Sequence, residues 1–400
     1  MAAAPASPVH GWTAPGWEGV REAFTTNFTA GREVGAAFSA YHRGSKVVDL
    51  WGGVSDRATG HPWAEDTVVL VFSTTKGFTA MCAHHLADTG ALDLEAPVVE
   101  YWPEFGAAGK ADITVAQLLS HQAGLYDVDA TLSLAETLAW DPVVAALAAQ
   151  APHWEPGTQH GYHAVTYGWL VGEVVRRVSG RSLGTYFAES IAGPLDVSAW
   201  IGLPESVEPR VAPLVSMQET IDEQTAASGG DPSAVREMMA QFMGPGTMLG
   251  RSLSAPNGAL SDQDAWSRRD VRAAEIPAAN GVTDARSVAR LYAATLGEVD
   301  GVRIISAEQL DRAIAQRTTG PNTVLLGMDI QFGLGFMVHS TLLAIGGRRS
   351  FGHFGMGGSL GWADPDADLA LGYVMNKLDV GMAGDSRSSV LIDACYAALA

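Results

Sequence analysis

The chain is poor in the residues that several classes of protein depend on. It has two cysteines in 400 residues, Cys82 and Cys395, too few for a disulfide framework or a Cys-based zinc site. Lysine is scarce, at Lys46, Lys76, Lys110 and Lys377 only. Lys+Arg number 25 against 44 Asp+Glu, a formal net charge of −19. A surface this acidic repels phosphate backbones and anionic lipid, so no nucleic-acid and no membrane partner is expected. The acidic residues are spread along the sequence, as a solvated, solubilising surface requires. No apolar run reaches 18 residues, which excludes a transmembrane helix. The first ten residues carry neither a basic nor an apolar leader segment, so a cytoplasmic location is expected. There is no Gly-rich phosphate loop followed by Lys-Ser/Thr. His84 and His85 are adjacent and point to different helix faces, and His153, His160 and His163 have no carboxylate set at ligand spacing. No metal and no other cofactor is therefore expected.

What is present builds a sizeable core. Apolar residues make up 47%, and the length suggests two or three domains, or one large fold with an insertion. Val34–His42 and Lys46–Gly53 predict a hairpin turning at Arg43-Gly44-Ser45. The apolar run Val68–Phe72 predicts a strand ending at Ser73. After it, Phe78, Met81, Cys82 and Leu86 recur at helical spacing up to a Gly90 cap. Thr114–Gln117 is a capping-box signature, and Val165–Val178 is a strongly apolar helix with Gly180 beyond it. Residues 205–275 read as short helices and long loops, then Ala285–Thr295 and Ala307–Gln316 as helices. Gly333–His339, Leu342–Ile345 and Leu369–Met375 read as strands, and Ser388–Leu399 as a closing helix.

Strands at both ends with helices between imply an α+β fold: an antiparallel sheet flanked by helices, carrying an inserted all-α domain. We expect residues 1–94 and 281–400 to form the sheet domain, residues 95–280 the helical one, and the site to lie between them, where pockets favour domain boundaries.

Three features carry chemistry. In Ser73-Thr-Thr-Lys76 the serine and lysine are three apart, so they share a helix face and the amine reaches the hydroxyl. A hydroxyl attacks well only when a base takes its proton, and burial together with the helix macrodipole lowers a lysine's pKa towards that role. The same helix start offers the Ser73 backbone N–H to an oxyanion. Tyr162, in Tyr162-His163-Ala164, is expected to have its phenol pKa lowered by a nearby cation and to act as a base or proton relay. Ser350–Trp362 is glycine-dense, which lets a substrate carbonyl approach the backbone and the Met356 N–H. Each has a plainer structural alternative: a serine cap with a solvated lysine, a tyrosine packing at a helix start, a hairpin corner with a surface His353. Gly357-Gly-Ser359-Leu-Gly361 matches a nucleophile elbow. It lacks the following helix and any later histidine, and is set aside. Met238, Met239, Met243 and Met248 read as packing, with a Met-lined acyl-pocket wall as the lesser alternative.

Ser73-x-x-Lys76, Tyr162 and His353-x-Gly355, in that order, resemble the three motifs of the serine β-lactamase and penicillin-binding-protein superfamily. The branch is the class C-like one that includes family VIII carboxylesterases. Leu118–Leu125, Glu155–Thr158 and Asp364-Pro365 add context, and the resemblance spans roughly residues 30–400. It implies Ser73 as acylated nucleophile, Lys76 and Tyr162 as base pair, and the Ser73 and Met356 N–H groups as oxyanion hole. Substrate contacts are expected at His353, Phe354, Gly355, Tyr126 and Trp362. Two departures point away from lactams. Ala164 stands where that branch usually has Asn, and His353-Phe354-Gly355 where it usually has Lys-Thr-Gly. Losing a buried charged hydrogen bond costs about 1.5–3 kcal/mol, which disfavours anionic substrates. The expectation is a serine carboxylesterase (EC 3.1.1 class) cleaving short-chain, small-molecule esters through an acyl-enzyme. The rivals are a β-lactamase or D-Ala-D-Ala peptidase, an acyltransferase, and a non-catalytic penicillin-recognising sensor. Oligomeric state is not readable from the sequence.

Overall fold

The structure is a computed structural model, and it describes residues 8–380 and 385–400. Its main sheet is antiparallel throughout. The strand order is Val9–Thr13, Ser45–Asp56, Gly35–His42, Leu369–Met375, Leu360–Asp364, Phe351–Phe354, Met337–Val338 and Gln331–Phe332. Segments from both ends of the sequence meet at its centre, where His42 opposes Leu369 and Ala36 opposes Met375.

Both faces of the sheet are covered, and consecutive residues of one strand show it, since neighbours in a strand point to opposite faces. Gly372 lies under the Ala285–Leu296 helix. A Cβ there would sit 2.3 Å from the Ala285 carbonyl oxygen, inside van der Waals contact, so only glycine lets this helix down onto the sheet. The next residue, Tyr373, gives its hydroxyl to buried Glu33, beside Arg387 of the Ser386–Ala398 helix. That helix packs against Glu18–Thr29, and Asn27 donates to the Arg387 carbonyl at 3.0 Å.

Several expected elements form for the expected reasons. Thr114 and Gln117 close a reciprocal capping box. The Thr166–Ser179 helix ends on Gly180 in the left-handed conformation, φ +70°. Others differ. Of Val68–Phe72 only Val69–Leu70 is strand, and it belongs to a small second sheet with Val282–Thr283 and Ala199–Trp200. The chain leaves that strand abruptly because Phe72 has φ +44°. Leu342–Ile345 is not a strand: Leu342 faces solvent, and the Ile345 carbonyl accepts the Trp362 indole N–H and the Ser350 hydroxyl instead of a ladder bond. Residues 205–275 hold more helix than their weak periodicity suggests, including Met217–Ser228, Pro232–Met243 and Met248–Leu253. No helix among the described residues is long and apolar enough to cross a membrane.

Candidate active site

Ser73 sits in a single 3-10 turn, Phe72–Thr74, that feeds the Thr75–Asp88 helix. Positive φ at a bulky residue costs free energy, of order 1–3 kcal/mol, and persists only where packing enforces it. Here the buried Phe72 ring meets Trp266 edge-on, with centroids 5.5 Å apart, and the Thr75 hydroxyl ties the Phe72 carbonyl to the Gly281 N–H. The turn therefore presents Ser73 from a fixed backbone.

Lys76 is fully buried, one turn along. Its Nζ lies 3.1 Å from Ser73 Oγ, and donates to the Ala164 carbonyl at 2.6 Å and the Ala278 carbonyl at 3.0 Å. No carboxylate is bonded to it among the described residues. Burial without a counter-charge drives its pKa well below the ordinary lysine value.

Tyr162 stands across the amine, with Lys76 Nζ 4.8 Å from its ring centre. Its loop is clamped from three sides. Asn322 Oδ1 accepts the Tyr162 N–H at 3.1 Å, and the Ser252 hydroxyl donates to the Tyr162 carbonyl at 2.8 Å while accepting the Ala164 N–H at 2.9 Å. His121 Nδ1 accepts the His163 N–H at 3.1 Å. The expected lowering of the Tyr162 pKa is not found. Ser73 favours the phenolate, but burial outweighs it and pushes the phenol up. The group is held protonated at neutral pH, suited to giving a proton rather than waiting as phenolate.

The third segment forms a hairpin, Phe351–Phe354 with Leu360–Asp364. Ser359, the elbow-like serine, is buried in its turn. Its hydroxyl donates to the Val71 carbonyl at 2.7 Å and lies 3.0 Å from Thr74 Oγ1, so it fastens the turn to the base of the Ser73 segment. Gly355 is where the two segments touch: a Cβ there would fall about 2.1 Å from the Val71 carbonyl. The contact sets Met356 beside Ser73 on one cavity wall. Among the described residues, neither the Ser73 nor the Met356 N–H donates to a protein acceptor, which leaves both for an oxyanion.

The cavity over Ser73 has a volume of about 710 Å³ and is mostly apolar, with Phe72, Met217, Ile221, Met239, Met243 and Leu253 in its walls. A smaller lobe of about 80 Å³ adjoins it, lined by Tyr162, Phe354, Gly355, Met356, Leu325 and Met337 among others. Of the four methionines noted in the sequence, Met239 and Met243 face the cavity, so the pocket-wall alternative describes those two. Three expected substrate contacts lie outside both linings. His353 is fully buried, not on the surface; its ring stacks on Tyr162 at 5.9 Å, and its Nδ1 bonds the Phe354 carbonyl at 2.7 Å. Trp362 is core, its indole N–H donating to Ile345. Tyr126 stacks on Trp154, with the Arg251 guanidinium 5.5 Å from its ring centre. The carbonyls of Ala164 and Ala278, and the clamps Ser252 and Asn322, were not anticipated. Backbone acceptors leave no pattern to read, and neither does a lone serine within the Met248–Leu253 helix or a lone asparagine in a loop. The Met217–Ile221 wall follows a Ser216–Glu219 capping box that the sequence does display.

Comparisons with known proteins bear on the family and the fold. The Beta-lactamase family matches residues 20–394. The chain is 38% identical over 375 residues to the esterase/beta-lactamase LipL of Mycobacterium tuberculosis, covering 92% of this chain and 83% of that one. It superposes on a family VIII carboxylesterase with a TM-score of 0.83, at 40% identity over 98% of this chain and 100% of that one. On EstA from Arthrobacter nitroguajacolicus Rue61a the TM-score is 0.84, at 36% identity over 97% of each chain. With its motifs assembled around one cavity and this match along nearly all its length, the chain belongs to the Beta-lactamase family.

Proposed function

We propose that the protein is a serine esterase that cleaves uncharged carboxylic esters, short-chain ones included, through an acyl-enzyme on Ser73. One observation carries this: an amine biased towards neutrality by burial lies 3.1 Å from the Ser73 hydroxyl, with two N–H bonds committed to carbonyls. A neutral amine so held has its lone pair left for the hydroxyl proton.

Lys76 takes that proton as Ser73 Oγ bonds to the ester carbonyl carbon. The oxyanion lies between the Ser73 and Met356 N–H groups. On collapse the ester C–O bond breaks, the Tyr162 phenol protonates the departing alkoxide, and the Lys76 ammonium restores the phenol's proton. Water then attacks the acyl-enzyme with the same groups in reverse, releasing the acid and free Ser73. His353, stacked behind Tyr162, orients that ring. Support for a neutral substrate comes from the lining: Ala164, Phe354 and methionines surround Ser73, and the lining arginine, Arg236, is paired with Asp222 at 3.3 Å. The names of its relatives, an esterase/beta-lactamase and a family VIII carboxylesterase, point the same way. Residues 1–94 with 281–400, and residues 95–280, are the two domains we assign around this site.

The test combines a p-nitrophenyl ester series, a chromogenic cephalosporin and a phosphonate probe, with the adduct mapped by mass spectrometry. The expected result is ester turnover and an adduct on Ser73. An adduct on Ser359, or none, overturns the mechanism. Cephalosporin turnover faster than that of every ester overturns the substrate assignment.

A further inference from the structure

The two lobes over Ser73 differ about ninefold in volume, about 710 Å³ against about 80 Å³. The small lobe contains Tyr162; the large one does not. Met217, Met239, Met243 and Leu253 line both lobes, whereas Ala164 and Ile221 line only the large one. Its roof is the Pro232–Met243 helix, which has no buried residue. Val235, Met239 and Met243, four apart, form the half-buried stripe of that helix, while Met238 and Phe242 on the other side are 50% and 47% exposed. Residues i and i+4 share a helix face, so Met239 and Met243 act as one surface. The helix is joined to the rest by Gly229-Gly230 before it and Gly244 after it, and it is tied to its neighbour by the half-exposed Arg236–Asp222 pair.

If Tyr162 protonates the leaving alcohol, the alcohol must depart through the lobe that holds Tyr162, and the acyl chain must extend into the other. We propose that the large lobe is an acyl-chain site for linear, unbranched, medium-length apolar acyl groups, with Met239 and Met243 as its specificity-determining wall. This rests on the esterase reading above. Methionine suits the task because an unbranched thioether repacks around chains of different length, and a roof with no buried residue shifts without exposing a core. The lobe's size falls within the range of sites that enclose a small-molecule ligand. The enzyme should therefore distinguish the two ends of an aliphatic ester: a long acyl part with a small alcohol is favoured over the reverse.

The experiment compares methyl decanoate with decyl acetate, and methyl decanoate with methyl butanoate, by titrating the acid released below the concentration at which the esters aggregate. We expect kcat/KM for methyl decanoate at least ~10-fold above that for decyl acetate, since every methylene buried in the large lobe adds to binding. In the double variant Met239→Gln, Met243→Gln, the decanoate-to-butanoate ratio should fall at least ~10-fold. Glutamine is a good helix former and no residue of the helix is buried, so the fold should be retained, as circular dichroism will show. Equal rates for the two orientations overturn the acyl-lobe assignment, and an unchanged ratio in the variant overturns the methionine wall. In both cases methyl butanoate is still cleaved and the esterase reading stands. Cleavage of no ester by the wild type overturns both.

Discussion

Replacing Lys76 by methionine separates what the amine does for turnover from what it costs the fold. A positioned base contributes about 10²–10⁴ in rate, so kcat/KM of Lys76→Met should fall by that factor. Stability should not follow it down. Keeping a lysine neutral below its ordinary pKa of 10.5 costs ~1.4 kcal/mol for each pH unit, and burial without a counter-charge imposes such a cost on Lys76. Methionine removes that cost, and leaves the Ala164 and Ala278 carbonyls without their donor at about 1–3 kcal/mol each. The two sides oppose each other, so the stability of the variant should change far less than its turnover. The pH dependence has a definite sign. The folded-state pKa of Lys76 is depressed, so between that pKa and 10.5 the unfolded chain binds more protons. Wild-type stability must then rise with pH relative to the variant across that window, by at most ~1.4 kcal/mol per unit. Urea unfolding of both proteins from pH 7 to 10, with ester kinetics alongside, measures everything required. Turnover within tenfold of wild type, or a stability difference that does not move with pH, refutes the reasoning.

Two further outcomes follow from other buried groups. Arg387 is enclosed among Glu33, Asp385 and the carbonyls of Lys377 and Gly357; Arg387→Met strands buried carboxylates and should cost about 3–5 kcal/mol in chemical denaturation. His84 and His163 are held neutral, with pKa lowered to about 4 and about 3, because burial disfavours the imidazolium. Stability from these two should be complete above the ordinary value of 6.5 and lost as pH falls towards 3, at up to ~1.4 kcal/mol per unit for each. His84→Gln should flatten its share of that slope in equilibrium unfolding.

The motifs were legible because their information is local. A spacing of three brings Ser73, in a 3-10 turn, to Lys76 in the helix it feeds, and the glycines of 355–361 announce a close approach before its partner is known. What sequence could not convey depends on the surroundings. A nearby lysine is visible in a string of letters, but the burial that pushes the Tyr162 phenol up is not. The hydrophobic run Val68–Phe72 looks like a full strand, because only a backbone angle at Phe72 tells that the chain turns there. Trp362 and Tyr126 sit near the motifs in sequence, yet packing takes their rings into the core. Leu342–Ile345 fails as a strand because side chains, not another backbone, use its Ile345 acceptor.

The central pairing of the sheet has a consequence for how the protein comes into being. Gly35 donates to Asn376, 341 positions away, and Val71 waits for Ser359. A ribosome must therefore deliver the chain as far as Asn376 before the middle of the sheet can close. The chemical cost of joining such distant segments grows only logarithmically with their separation, but the search for them is slow. The nascent molecule makes its reactive serine early, and receives the cradle that turns reactivity into hydrolysis among the last things it makes.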